Sequence, residues 1–345
     1  MMRADRHSGF TMIDLLIGLA IGLMGLLAVT QVMLTFNQQR NTAVQLMESQ
    51  NNGTMALYLL ERDLGQAGYG LMNLQNCSQI QWYYGALQGP LSPLPVWIQD
   101  GGTGSDTLNI QYANATSGAP VAIITQPQTA YADPYTLGTI VGFNVGDVVV
   151  ANVSNTCTMS QVTAINNVNF TIAHAVDPVD PGVTPYNTTT QPAGATGGWN
   201  VATAQSLLVN VGSFVGKRYS IANERLQMGG FPGYAGNTLV DGIVFMKAQY
   251  GFDSNGDGAI NSWSDGTTVV NNTNSGNVLA IRVGIVARSP LYEREVIDAP
   301  TTLTVLPAPT SPVGGSAVTY TVPDRHYRYK VYSTIIPLRN VIWGR

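Results

Sequence analysis

The stretch YGFDSNGDGAINSWSDG sets oxygen-bearing side chains at alternate positions, the way a loop wraps a hard cation. Asp253, Asn255 and Asp257 fall at places 1, 3 and 5 of an EF-hand-like loop, with Gly258 at 6, the Ala259 carbonyl at 7 and Asn261 at 9. Place 12 is Ser264, and the nearest acid, Asp265, comes one residue late. A Ca²⁺ site made from these six residues (Asp253, Asn255, Asp257, Ala259, Asn261, Asp265) therefore lacks the bidentate ligand and is expected to be weak, of use only where calcium is plentiful, outside the cell. The competing reading is a hairpin whose Asn-Gly and Asp-Gly pairs supply positive φ and Asx turns.

Other constellations offer less. Cys77 and Cys157 lie 80 positions apart, and the three histidines, His7, His174 and His326, are scattered, so a zinc knuckle or a catalytic triad has no foundation. A single disulfide in an oxidising compartment is the better reading of the cysteines, against two free thiols. There is no nucleophile elbow, phosphate loop or HExxH, no catalytic residue is assigned, and the chain reads as a non-enzyme. Arg325, His326, Arg328 and Lys330 interleave with Tyr327, Tyr329 and Tyr332. Nucleic acid could be bound by such a segment, but a strand with one buried and one solvated face explains it better, and a net charge of −4 argues against general phosphate binding. Trp82-Tyr83-Tyr84 with Trp97 is either an adhesive patch or, the better reading, part of a core or of a contact with the long helix described next.

The remaining chemically loaded residue is Asp14, which interrupts SGFTMIDLLIGLAIG just before a run free of charge from Leu15 to Phe36. Those 22 residues span about 33 Å as a helix, enough to cross a bilayer core. Arg3 and Arg6 ahead of it should stay cytoplasmic, leaving the rest exported. A cleaved signal peptide would end its apolar core sooner at a small-x-small site, and a plain signal anchor leaves Asp14 unexplained. Helical character persists to Leu64, with Val44, Met47, Met55, Leu59, Leu60 and Leu64 near a 3.6-residue spacing and Gly53 expected to interrupt it. Beyond it, 37 Gly, 18 Pro and only 10% charged residues in the whole chain suit a turn-rich β body. Strands are expected at 108–112, 121–125, 147–153, 168–173, 207–211, 279–287 and 327–336, with a helical turn leading into a strand within 238–252 and a surface loop over 177–200.

A short basic leader ending in Gly9, then Phe10-Thr11-Met12-Ile13, an acid at the fifth place and a long apolar helix resemble the class III signal of type IV prepilins. The resemblance implies that a prepilin peptidase cuts between Gly9 and Phe10, that the new N-terminal Phe10 is methylated, and that the subunit is drawn into a helical filament. The usual Glu is replaced by Asp14. After such a cut the Phe10 ammonium and the Asp14 carboxylate stand four residues apart on one helical face, where the first-turn N–H groups also favour negative charge. Burying an acid mid-bilayer costs about 2.5 to 3.5 kcal/mol, so a partner is needed, and the amine of a neighbouring subunit could supply it.

MALYLLERDLGQAGY (Met55 to Tyr69), GSDTLNIQYA (Gly104 to Ala113) and the C-terminal pair VLAIRVGIVARS and YRYKVYSTIIPLRNVIW, with Arg339 and Asn340, resemble the PilW family of type IV minor pilins. That resemblance implies an α+β, type IV pilin-like fold: a long N-terminal α-helix, membrane-spanning in its first half, packed on a β-rich globular domain. The expected division is a leader at 1–9, a transmembrane or filament-core helix at 10–36, its amphipathic continuation at 37–68 and an exported β-rich domain at 69–345. It implies a minor pilin of a priming or tip complex, serving pilus assembly, twitching motility and adhesion. Partners would be other minor pilins, the major pilin, prepilin peptidase, the inner-membrane assembly machinery and a tip adhesin. The alternatives are a large J-like pseudopilin of a type II secretion system and a membrane-anchored adhesin. The expected location is the inner membrane in a single pass, N-terminus cytoplasmic, and then the pilus; no cofactor is expected beyond the weak Ca²⁺.

Overall fold

One helix, α1, runs from Met12 to Leu64 without a break, about 80 Å of rod. No proline falls within it, and Thr30, Thr35 and Thr54 turn their hydroxyls back onto the carbonyls of Leu26, Gln31 and Gln50, so none competes with the helix for its N–H groups. The computed structural model describes residues 12–343 apart from 75–76, 89–90, 116–117, 119, 154–155, 178–179, 189–201, 231–235, 269, 271–273 and 311–312. The two halves of α1 differ completely. From Met12 to Phe36 the large side chains lie open, whereas Ala56, Leu59, Leu60 and Leu64 form a buried stripe at helical spacing. The interruption expected at Gly53 does not occur. A Cβ there would lie 2.3 Å from Cε2 of Tyr332, so the missing side chain makes room for a ring of the body to lie against the helix.

Nineteen strands follow among the described residues. They are β1 Gln79–Gln81, β2 Val96–Gln99, β3 Thr107–Ala113, β4 Val121–Gln126, β5 Tyr135–Leu137, β6 Val148–Val153, β7 Thr156–Gln161, β8 Ala164–Asn166 and β9 Thr171–Ala173. There follow β10 Leu207–Gly212, β11 Phe214–Ala222, β12 Arg225–Gly230, β13 Gly236–Asp241, β14 Ile243–Phe252, β15 Ser262–Ser264, β16 Val278–Arg288, β17 Thr302–Leu306, β18 Val318–Thr321 and β19 Tyr329–Pro337. A short helix, α2, closes the described chain at Arg339–Trp343. The architecture is thus α+β, a long N-terminal helix whose second half packs on a β-rich body.

Two sheets flank the buried stripe of α1: a five-stranded one in the order β13-β12-β11-β3-β2 and a four-stranded one in the order β15-β14-β16-β19. Leu108 and Ile110 of the first, and Met246, Ile281, Val283 and Ile285 of the second, share one core with Leu60 and Leu64. A two-stranded hairpin, β17 and β18, covers Phe245 and Val286 from the other side.

The third sheet arises differently. β3 and β11 are antiparallel neighbours with Ala113 opposite Phe214, so residues 114–213 leave and re-enter the body through one gap between adjacent strands. Within that excursion β4 to β10 assemble with β1 into eight strands, β1-β7-β6-β10-β4-β5-β9-β8. Successive side chains alternate across a strand, and here both faces are dry: Val148 and Val150 join a core with Leu71, Leu74 and Phe214, while Val149 and Ala151 join Ile124, Tyr135 and Leu208.

Two expectations are corrected. The segment expected as a strand at 168–173 is strand only from Thr171; the Asn166 side chain accepts the N–H groups of Val168 and Asn169, and this Asx turn converts residues 167–170 into the tip of the β8–β9 hairpin. The helical turn expected within 238–252 is absent, because β13 and β14 run almost end to end with only Gly242 between them. Among the described residues the 177–200 loop contains one helical turn, Pro181–Val183, while 178–179 and 189–200 lie outside them. Trp82 is buried in the core of the eight-stranded sheet, while Trp97 sits half-exposed on β2, so the two do not form one patch.

Candidate functional site

Two features of α1 could serve function, its bare apolar half and the place where its end is fastened to the body. In the apolar half, a window of 18 residues reaches a mean hydropathy of 2.4 with none of it buried against protein. Asp14 lies in the first described turn, exposed, where orphan N–H groups and the helix dipole favour a carboxylate. Gly9 and Phe10, the residues of the expected cut, lie outside the described residues.

At the other end the ERDLGQAGY stretch forms a clasp. The 3.6-residue period that points Leu60 and Leu64 at the core brings Asp63 against β11, where its carboxylate is 1% exposed. It accepts hydrogen bonds from Arg62 Nε at 3.0 Å, from Lys217 Nζ at 2.8 Å and from the Tyr219 hydroxyl. Lys217 and Tyr219 stand two apart on one strand, which places both on the same face. Burial alone would push the Asp63 carboxyl up, but the hydrogen bonds from Lys217, Tyr219 and Arg62 outweigh it and hold it below the usual 3.8. The Tyr219 hydroxyl is pushed well up, by burial and then by its bond to Asp63.

The residues that follow complete the clasp through the backbone. Gly68 N–H donates to the Gln111 carbonyl at 2.9 Å and Ala113 N–H donates to the Tyr69 carbonyl at 2.7 Å, two rungs that fix the chain to β3. Gly68 has a φ of 79°, and a Cβ there would meet Pro95 at 3.2 Å and Val341 at 3.3 Å, so both the conformation and the space call for glycine. Asn340 then closes the turn from the far end of the sequence, its amide donating to the carbonyls of Gln66 and Ala67, each at 3.2 Å. Both carbonyls lie in the turn just past Leu64, and that of Gln66 also accepts the Tyr69 N–H at 3.1 Å.

The GSD of GSDTLNIQYA joins the two body sheets. Ser105 Oγ accepts the Met246 N–H at 3.2 Å, and Asp106 N–H donates to the Met246 carbonyl at 2.9 Å. The Asp106 side chain accepts the N–H groups of Gly101 and Ala248, each at 3.0 Å, and Lys247 Nζ at 2.6 Å. Lys247 also reaches Asp100 at 3.0 Å. These bonds occupy the stretch of the β14 edge that the short β15 leaves uncovered, so an open strand edge is consumed inside the fold. Burial pushes Asp106 above the usual carboxylate value despite those donors. On Lys247 the same burial is outweighed by the two carboxylates, which hold the ammonium charged.

Asp253 to Asn261 form the hairpin connection from β14 to β15, and Asp265 follows β15. Gly256 and Gly258 take φ of 79° and 83°, and the carboxylate of Asp253 accepts their N–H groups at 2.6 and 3.0 Å. Asn255 donates to Asp257 at 2.9 Å, Asp257 accepts the Ala259 N–H at 2.8 Å, Asn261 accepts from Ser254, and Asp265 accepts from Thr267. The oxygens of this cluster are thus turned to the loop's own donors. Cys77 and Cys157 form a disulfide with Cα atoms 5.5 Å apart, securing the segment before β1 to β7.

Four polar anchors were not singled out in the sequence: Lys217, Tyr219, Lys247 and Arg282. Arg282 is the instructive one. Alone among apolar residues in VLAIRVGIVA, it is 5% exposed and donates to Gln249 at 2.6 Å and to the carbonyls of Pro307 and Ser316 at 3.0 and 3.2 Å, strapping the β17–β18 connection to the sheet. A lone cation in a strand apolar on both faces was the available signal.

Nothing in these clusters pairs a nucleophile with a base; they fasten a bare apolar rod to a body and hold two sheets together. The family model described as Type IV Pilus-assembly protein W matches residues 215–340, from β11 to the Asn340 amide of the clasp. No curated protein matches the chain. Among solved structures, a type IV-like pilin from Thermus thermophilus aligns over 84% of this chain and 96% of its own, with 11% identity and a TM-score of 0.37.

Proposed function

We propose that this chain, which carries the region of the type IV pilus-assembly W family over residues 215–340, is a minor pilin that joins a priming or tip complex and promotes pilus assembly. The role is structural and pilus-related. The observation that carries it is the division of α1. One continuous helix offers an apolar half with no protein against it, while its other half is clasped to the body through Asp63, Gly68 and Asn340. A subunit drawn from a membrane into a filament needs both, a segment that exchanges lipid for equivalent helices and a fastening that transmits the pull to the folded domain.

In this reading the chain is cut between Gly9 and Phe10, and the Asp14 carboxylate meets the new amine of a neighbouring Phe10, setting register. Its partners are other minor pilins and the major pilin, with the peptidase and the assembly machinery acting on it in the inner membrane. Intact-mass and N-terminal analysis of protein from sheared pili tests the reading: a mature chain beginning at methylated Phe10 is expected, and a retained Met1 would overturn it. Deletion of the gene should abolish twitching; loss of exoprotein secretion with twitching intact would instead assign the chain to a type II secretion system.

A further inference from the structure

The body has an end that faces the apolar half of α1, and its side chains are unusual for a surface meant to meet only water. The direction follows from β16. At its start, Leu279 accepts the Leu338 N–H, and Val341 nearby lies against Gly68 just past the helix end. At its finish, Arg288 lies beside Gly242 and Asn52: a Cβ on Gly242 would be 2.9 Å from the Arg288 carbonyl and 3.7 Å from the Asn52 amide. β16 therefore runs antiparallel to α1, and the chain leaving Arg288 emerges toward the membrane segment. Protein covers α1 well above Asn52, since Ser49 is 2% exposed, Gln45 5%, and Thr42 is half-buried. From Thr42 to Phe36 is six residues, about 9 Å of helix, and the interfacial layer on each side of a bilayer is about 5 to 8 Å thick.

The segments emerging there are 289–297 and 325–328, held together by backbone bonds from Ser289 to Arg328, Glu293 to His326 and Ile297 to Arg325. Leu291, Tyr292 and Val296 are 53%, 58% and 57% exposed. Tyr292 stacks on His326 with centroids 4.5 Å apart and meets Tyr327 edge-on, which fixes the loop's shape. The charges around this end are largely paired, as Arg328 with Glu293, Arg325 with Asp298, Arg288 with Glu224 and Arg225 with Asp241. Arg294 and its neighbour Glu295, both exposed, have no ion-pair partner among the described residues.

We propose that the loop carrying Leu291, Tyr292, Arg294 and Val296 docks on the phospholipid headgroup layer of the membrane that α1 spans, seating the body before the subunit is extracted. A tyrosine with its ring toward acyl chains and its hydroxyl in water suits that layer, two aliphatic side chains gain by leaving water, and a free guanidinium matches a phosphate. Neutralised pairs nearby keep the cost of approaching the layer low. This rests on the membrane-anchored reading above.

The test uses the full chain in vesicles of phosphatidylethanolamine and phosphatidylglycerol, with its disulfide intact so that only an introduced thiol takes an environment-sensitive fluorophore. Labels go on Tyr292→Cys, on Val296→Cys in case loss of the Tyr292 stack disturbs the loop, on Leu27→Cys in the apolar half, and on Val168→Cys at the 83%-exposed tip of the β8–β9 hairpin. The labels at 292 and 296 should shift to the blue and be quenched by nitroxides at the headgroup, the label at 27 by nitroxides deep in the acyl chains, and the label at 168 by neither. Deep quenching at 27 with none at 292 and 296 overturns the docking alone; no quenching at 27 overturns the membrane-anchored reading and the docking with it.

Discussion

The two parts of the body are held by different means. Around α1, the five- and four-stranded sheets are locked by buried carboxylates: Asp63 gathers Arg62, Lys217 and Tyr219, and Asp106 gathers Lys247 and the backbone of β14. The lobe of residues 114–213 relies instead on two dry sheet faces, a disulfide and buried neutral amides such as Asn187 and Asn210. Apolar packing tolerates many substitutions of similar volume, whereas a buried carboxylate specifies its partners by atom and direction. The part matched by the family model lies on the first side of this divide, beginning at β11 just after the lobe rejoins. A lobe inserted between two adjacent strands can vary without disturbing the register of either.

The sharpest break of this contrast is Asp63→Leu. With the acid gone, Lys217 and Tyr219 are left facing an apolar side chain, and removing one member of a buried pair costs about 3 to 5 kcal/mol. Urea unfolding of the full chain in detergent should show this loss in the transition of the α1 body, with the lobe transition unmoved. The pH dependence has a definite sign. Because Asp63 is held below its ordinary 3.8, the stability it gives is present above pH 3.8 and lost as pH falls through the lowered value; Asp63→Asn should remove that part of the acid sensitivity. Asp106 has the opposite sign, its raised carboxyl contributing stability at low pH that is lost as pH rises through its folded value.

The second test strikes the lobe. Replacing both Cys77 and Cys157 by Ser opens a loop of 80 residues and should cost about 2 to 4 kcal/mol. Limited proteolysis should then cut within 114–213 while fragments containing α1 and β11 to β19 survive. Equal loss of protection in both parts would show that they unfold as one unit.

What was readable in the sequence follows the same divide. The helix, its apolar half and eight of the nineteen described strands announce themselves by pattern, because burial of one face imposes period 3.6 or 2 wherever it happens. The motifs at Asp63, Asp106 and Asn340 were visible as motifs, but their purpose was not, since Asp63 meets Lys217 across 154 residues and no local pattern encodes such a pairing. Four of the lobe's seven strands, β4, β6, β9 and β10, were expected from the sequence, whereas its status as an excursion depends on β3 pairing with β11, a fact of topology. Gly53 misled for a related reason: glycine in a helix reads as a breaker when its neighbour, Tyr332, lies far away in sequence.

Gly53→Ala turns that misreading into a measurement. Alanine favours the helix by about 0.5 to 1 kcal/mol, yet its Cβ would sit within 2.8 Å of three Tyr332 ring atoms, and overpacking costs about 1 to 3 kcal/mol. The single variant should therefore be modestly destabilised. Paired with Tyr332→Leu, the same alanine should be less harmful, a coupling that a double-mutant cycle would show.

The smallest effect is expected at Asn340, and its value is in location. Asn340→Ala deletes two hydrogen bonds to the carbonyls of Gln66 and Ala67, together worth about 1 to 2 kcal/mol if each is ordinary. The site is partly open to solvent, so water can satisfy those carbonyls and the net loss should approach the lower figure. Global stability will barely register it. Hydrogen exchange should, because the rungs at Gly68 and Ala113 hold only while the turn between them and Leu64 keeps its shape. Faster exchange of these two amides, with Leu108 and Ile110 in the core of β3 unchanged, would place the Asn340 contact in the fastening of the helix end. Unchanged exchange at Gly68 would mean that Asp63 and the backbone rungs suffice, and that Asn340 only adds donors to the turn that follows the helix.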